Sequence, residues 1–199
     1  MHAAGAGVPG DTGRDGLTMA LRRFVISGCS GGGKSSLISE LKQRGQSVVP
    51  EAGRIIVQDQ IALGGTALPW NDKLAFAAQL ASKAFEQYGS VSECDGDIFF
   101  DRSIVEAEVF CDLHDVRLPR SYLSAADTCR YTDPIFLTPP WQEIFESDTE
   151  RQHGFEAAVQ EYDALQQKFL ANGYRVLVIP RITIAKRADW ILRAICNAN

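Results

Sequence analysis

A chain of 199 residues with 45% hydrophobic and 23% charged side chains has the composition of one globular domain, long enough to bury a core without disulfide or metal staples. Its 20 basic and 25 acidic residues leave a net charge of −5 and a pI of about 5.2, which excludes a general electrostatic footprint for DNA, RNA or anionic lipid. The five cysteines, Cys29, Cys94, Cys111, Cys129 and Cys196, are scattered and never form a C-x-x-C pair, so they read as reduced thiols of a cytoplasmic protein; no apolar run reaches the roughly 18 residues of a membrane span.

Residues 1–20 are rich in Gly and Ala, carry no apolar stretch of signal-peptide length and are expected to be a disordered extension, with Met19 a candidate start of translation. Residues 21–199 are expected to form a single domain. There, short apolar runs alternate with helical periodicity, the pattern of an α/β fold with a mostly parallel sheet. Strands are predicted at Arg23–Ser27, Ser47–Pro50, Asp97–Asp101, Pro134–Thr138 and Tyr174–Ile179. Helices are predicted at Lys34–Arg44, Gly53–Ala62, Asp72–Val91, Ser103–Leu113, Pro119–Arg130, Thr149–Ala171 and Ile182–Cys196. The polar stretch from Ser147 to Gly154 reads as a mobile connection.

The first strand runs into Gly28-Cys29-Ser30-Gly31-Gly32-Gly33-Lys34-Ser35, which matches G-x-x-x-x-G-K-[ST], and a helix follows. Glycines let backbone N–H groups converge on phosphate oxygens, and the helix N-terminus favours negative charge there. Lys34 is expected to reach the β and γ phosphates of a nucleoside triphosphate, and Ser35 to ligate Mg²⁺ ahead of Ser36. Cys29 reads as a tolerated small residue of the loop rather than a redox sensor.

In such folds the ligand lies at the carboxyl ends of the strands. Asp97-Ile98-Phe99-Phe100-Asp101 delivers Asp101 there, suited to hold Mg²⁺ or its water, with Arg102 placed to meet a phosphate; the alternative is an ordinary Asp-Ser helix start. Glu51, after Val48-Val49-Pro50, is either a general base for an acceptor hydroxyl or a helix N-terminal acid favoured by the dipole. Arg54 would bind the same substrate or pair with Glu51. In the polar connection, Arg151 is a candidate lid cation that closes over the γ phosphate, with Asp148 and His153 beside it; the alternative is a solvated helix start. Pro180-Arg181 is a weaker candidate for the border of a nucleoside base.

Over residues 21 to 196 the chain resembles the small AAA-type ATPase family of bacteria, related to ribosylnicotinamide kinase domains and, more distantly, to deoxyribonucleoside kinases. The resemblance rests on the phosphate loop, VVPEAGR at Val48 to Arg54, FFDRS at Phe99 to Ser103, PPWQEIF-x-x-D-x-x-R from Pro139 to Arg151, and GYRVLVIP from Gly173 to Pro180. It implies a P-loop kinase-like three-layer α/β/α fold with a five-stranded parallel sheet of order 2-3-1-4-5. It also gives Glu51 the role of base and makes Asp101-Arg102-Ser103 the acidic-Arg-Ser triplet, although deoxyribonucleoside kinases generally carry Glu where Asp101 stands.

The leading expectation is a kinase that uses ATP or GTP with Mg²⁺ and phosphorylates a hydroxyl of a small, nucleoside-like acceptor, acting as a monomer or homodimer without nucleic acid or membrane. Simple NTP hydrolysis and a nucleotide-gated regulatory module are the alternatives. No N-K-x-D base-recognition motif occurs, since Asn71-Asp72-Lys73 has the wrong order. With one predicted helix, Ile182–Cys196, after the last predicted strand, the helical lid domain and hexameric remodelling of large AAA rings are not expected.

Overall fold

Phe24, Val25 and Ile26 are all fully buried, which successive strand residues achieve only when both faces of their sheet are covered. They lie in β1 (Arg22–Gly28), at the centre of a sheet completed by β2 (Ser47–Val49), β3 (Asp97–Asp101), β4 (Ile135–Thr138) and β5 (Val176–Val178). Every neighbouring pair is parallel, and the order is β2-β3-β1-β4-β5, the one the resemblance implies. These relations come from a computed structural model that describes residues 21–91, 96–122, 128–145 and 154–197.

The pleat of the strands sorts the core into two layers. Phe24, Ile26, Phe99 and Phe136 point to one face and pack on Leu37, Ile38 and Leu41 of α1 (Lys34–Gln43) and on Ala188, Ile191 and Ile195 of a C-terminal helix (Ile184–Cys196). Val25, Ile98, Phe100, Ile135 and Leu137 point to the other. That face is covered by α2 (Ala52–Leu63), α3 (Lys73–Ser90), α4 (Val105–His114) and α5 (Phe155–Ala171); the C-terminal helix is α6. Edge-on and tilted aromatic contacts, such as Phe24 with Phe99 at 5.8 Å and Phe100 with Tyr131 at 5.4 Å, fill each layer.

Parallel pairing brings all the strand ends to one edge. Asp101 pairs with Ile26 and Thr138 with Gly28, so the chain leaves β1, β3 and β4 side by side. A few boundaries differ from expectation. The last strand is only Val176–Val178, and α6 begins at Ile184. Residues 120–122 and 128 are helical, whereas Arg130 stands outside that segment because its guanidinium covers the Tyr174 ring at 4.0 Å and donates to the Asn172 carbonyl. Of the helix expected from Thr149, α5 supplies the part from Phe155 onward; residues 149–153 lie outside the described residues.

Candidate nucleotide and acceptor site

Gly28 ends β1 with φ of +127°, and a Cβ there would come within 2.3 Å of Thr138 Oγ1 and 2.4 Å of its carbonyl oxygen. Only glycine lets the chain turn this close to β4. Gly33, with φ of +73°, starts α1. Between them the loop wraps toward the helix N-terminus, where Lys34, Ser35 and Ser36 line a cavity of about 710 Å³ together with Cys29, Ser30 and Gly31. Burial and the Glu161 charge push the Cys29 thiol up to about 11, so it is a protonated small side chain at neutral pH.

The strand-end residues singled out in the sequence converge. Lys34 Nζ stands 2.5 Å from Asp101 Oδ1 and 3.8 Å from Glu51 Oε2. Glu51 Oε1 is 3.0 Å from Arg102 Nε, and Arg54 Nε is 3.8 Å from Glu51 Oε2. Glu51 occupies the residue before α2 and makes no side-chain cap hydrogen bond to the helix, while its carboxylate faces the cations of the cluster. Nor do Asp101 and Ser103 form a plain Asp-Ser helix start: Asp101 closes β3, Arg102 adopts φ of +73°, and α4 begins at Val105. A left-handed backbone is uncommon for a residue with a side chain. It turns the Arg102 guanidinium into the same buried space as Lys34 and Glu51.

Three further residues complete the constellation. Glu106 is buried and accepts from Ser27 Oγ at 2.5 Å, Ser103 N at 2.8 Å and Ser103 Oγ at 2.5 Å, which pins the turn that holds Arg102. Burial raises its carboxyl above the ordinary value, against the pull of Arg102 and the serine donors. Glu161 of α5 accepts from Arg102 Nη1 at 2.9 Å and from the loop amide of Ser30 at 3.3 Å. Burial works against the charge of Arg102, but Glu161 and Glu51 outweigh it and hold the guanidinium above its ordinary pKa. Arg187 of α6 lines the loop cavity and donates through Nη2 to the Gly32 carbonyl at 3.0 Å.

The sequence held a signal for two of these. Ser103-Ile104-Val105-Glu106 has the S-x-x-E spacing of a capping box, and Arg187 interrupts the apolar stripe that continues through Ile191 and Ile195. Glu161 carries no such mark. Arg181, by contrast, reaches away to the Pro140 carbonyl at 2.6 Å, and the cavity is bordered instead by Trp141, Ile144 and Ile182 to Ile184. Asp148, Arg151 and His153 lie outside the described residues.

A second cavity, of about 320 Å³, opens behind the cluster toward α3, α4 and α5 and is walled by Leu80, Phe100, Phe110, Leu113 and Leu165. The two cavities share a wall. Ser30, Glu51, Trp70, Phe76 and Arg102 line both.

A glycine-rich loop between a central parallel strand and a helix, with carboxylates and cations at the neighbouring strand ends, defines a P-loop NTPase of the kinase-like fold. The profile of the AAA domain family matches residues 23–187, and the chain belongs to that family. No curated protein sequence matches it significantly. Among solved structures it is similar to deoxyadenosine kinase from M. mycoides with the products dCMP and dCDP bound, at 16% identity and a TM-score of 0.61 over 88% of this chain and 99% of that one. The NadR protein in complex with NR is similar at 15% identity and a TM-score of 0.65 over 89% of this chain and half of the other. Thymidylate kinase from Ehrlichia chaffeensis is similar at 14% identity and a TM-score of 0.59 over 88% and 98%. Likeness at this distance is likeness of fold. Among the described residues no helix is long and apolar enough to cross a membrane.

Proposed function

We propose that the protein is a small-molecule kinase that transfers the γ-phosphate of ATP or GTP from the loop cavity to a hydroxyl of a nucleoside-like acceptor in the apolar cavity. The shared wall carries this reading. A hydrolase needs room only for water beside the γ-phosphate, whereas here an aromatic-lined cavity of about 320 Å³ opens onto the same Glu51 and Arg102. The fold's likeness to a deoxyadenosine kinase and a thymidylate kinase supports an acceptor related to nucleosides.

On this reading the amides of Cys29 to Ser36 and the Lys34 ammonium hold the phosphates, and Gly28 begins the turn. The loop fits a polyphosphate: a Cβ at Gly33 would crowd the cavity groups Ile144 and Arg187, and Ser35 opens into the same space. Ser35 and Asp101 are the residues that would hold Mg²⁺, which when bound offsets the charge of the phosphates. Glu51 accepts the proton of the acceptor hydroxyl as its oxygen bonds to phosphorus and the bond to the leaving diphosphate breaks. Arg102 holds Glu51 in place and offers positive charge to the group in transit. Arg151 would add a second cation from the connection that precedes α5.

A panel of nucleosides, vitamins and sugars, read by acceptor-dependent ADP release, tests the proposal. Glu51→Gln should reduce transfer at least 100-fold while leaving Mg·ATP affinity within about two-fold. Lys34→Ala should abolish nucleotide binding in calorimetry. Full turnover by Glu51→Gln removes Glu51 from the mechanism, and a panel with no active acceptor despite tight Mg·ATP binding removes the kinase.

A further inference from the structure

Two arginines are buried in the site, and they are treated very differently. Arg102 is surrounded by Glu51, Glu161 and Asp101. Arg187 is 1% exposed, yet none of the described carboxylates forms an ion pair with it. Among the described residues its guanidinium has one hydrogen bond, from Nη2 to the Gly32 carbonyl, and it lies 5.8 Å from the centre of the Trp141 ring. Its Nε, like that of Arg102, is buried without a hydrogen-bond acceptor among the described residues. Burial lowers its pKa, and none of the described acids opposes the shift.

A cation taken out of water without a counter-charge is costly even after relaxation, and one carbonyl does not make that good. Its position is informative. The guanidinium touches the loop where glycine alone fits, Nη1 standing 2.8 Å from the place a Gly33 Cβ would take, and it lines the same cavity as Lys34 and Ser35. The helix also presents it with purpose: Arg187 takes the first place in the stripe continued by Ile191 and Ile195, so α6 cannot turn it to solvent without exposing that stripe.

We propose that Arg187 is a phosphate ligand whose counter-charge is the polyphosphate chain of the bound nucleotide, so that α6 is tied to occupancy of the loop. This rests on the reading of the loop as a nucleotide site and adds to Lys34 and Arg102 a further buried cation, from the helix packed beside α1 on the same face of the sheet. It is independent of the acceptor and of the transfer step.

The full chain and its Arg187→Met, Arg187→Lys and Lys34→Ala variants are titrated with Mg·ATP and with Mg·tripolyphosphate, which carries the charge without the base, and melted without ligand. Arg187→Met should weaken both ligands ten- to hundred-fold, with Arg187→Lys in between. Its melting temperature without ligand should equal or exceed that of the wild type, because an apolar chain of similar length replaces an unpaired buried cation. Three results overturn the proposal: unchanged affinity for both ligands; loss for Mg·ATP with tripolyphosphate unaffected, which makes Arg187 a base contact; or a lowered melting temperature with Met and Lys behaving alike, which makes it a clamp on the loop. A wild type that binds neither ligand, or a Lys34→Ala variant that binds both as the wild type does, refutes the nucleotide site itself.

Discussion

Arg102 at φ of +73° is held in an unfavourable backbone region by its neighbours, and Glu106 is the side chain that does most of the holding. Glu106→Gln leaves one oxygen to receive three donors and should cost about 1 to 3 kcal/mol of stability at pH 5 in urea unfolding. Because burial raises this carboxyl above 4.5, the folded protein binds the proton more tightly than the unfolded chain does. Wild-type stability from this group therefore falls as pH rises above that value, and the gap to Glu106→Gln should narrow toward neutral pH; a gap that widens instead contradicts the shift. At this scale the sequence was partly legible. Lys34, Glu51, Asp101, Arg102 and Arg54 announce themselves by standing in the loop motif or just after apolar strands, and they do converge. Glu106 was within reach through its spacing from Ser103, but a capping box predicts a helix start and says nothing of Ser27 on another strand.

Among the elements, α5 makes the least predictable contribution. Its apolar stripe and its packing through Leu165 and Phe169 follow from periodicity. That Glu161 lies against the phosphate loop depends on where the helix docks across the sheet, which no local pattern encodes; in the sequence it is one acid among several on an amphipathic helix. The contact has a measurable effect on the proposed ligand. A carboxylate 3.3 Å from the Ser30 amide competes with phosphate for that donor and repels it. Two like charges near 4 Å repel by about 1 kcal/mol even at the dielectric constant of water, so Glu161→Gln should tighten Mg·ATP binding by roughly five-fold or more in calorimetry. Weaker binding would show instead that Glu161 acts by orienting Arg102. The strand ends, by contrast, were legible to within a residue or two, because the inner strands β1, β3 and β4 carry runs of three or more buried residues that are almost wholly apolar.

For the molecule as a whole, the net charge of −5 conceals a site with the opposite tendency, where Lys34, Arg54, Arg102 and Arg187 meet around one cavity. Composition excluded a broad polyanion surface but could not reveal this concentration, since it arises when the parallel sheet delivers β1, β2 and β3 to one edge and α6 packs beside α1. The common wall between the two cavities has a practical consequence. Glu51, Arg102 and Ser30 border both spaces, so on the proposed reading a nucleotide in one and an acceptor in the other would meet at this wall. A two-headed molecule, with adenosine joined to a weakly binding acceptor through a chain of four or five phosphates, should therefore bind more tightly than Mg·ATP by about two orders of magnitude, as each head raises the local concentration of the other. Competition against fluorescent nucleotide measures this directly, and affinity no better than that of the adenosine half alone would mean that the two spaces are not traversed together.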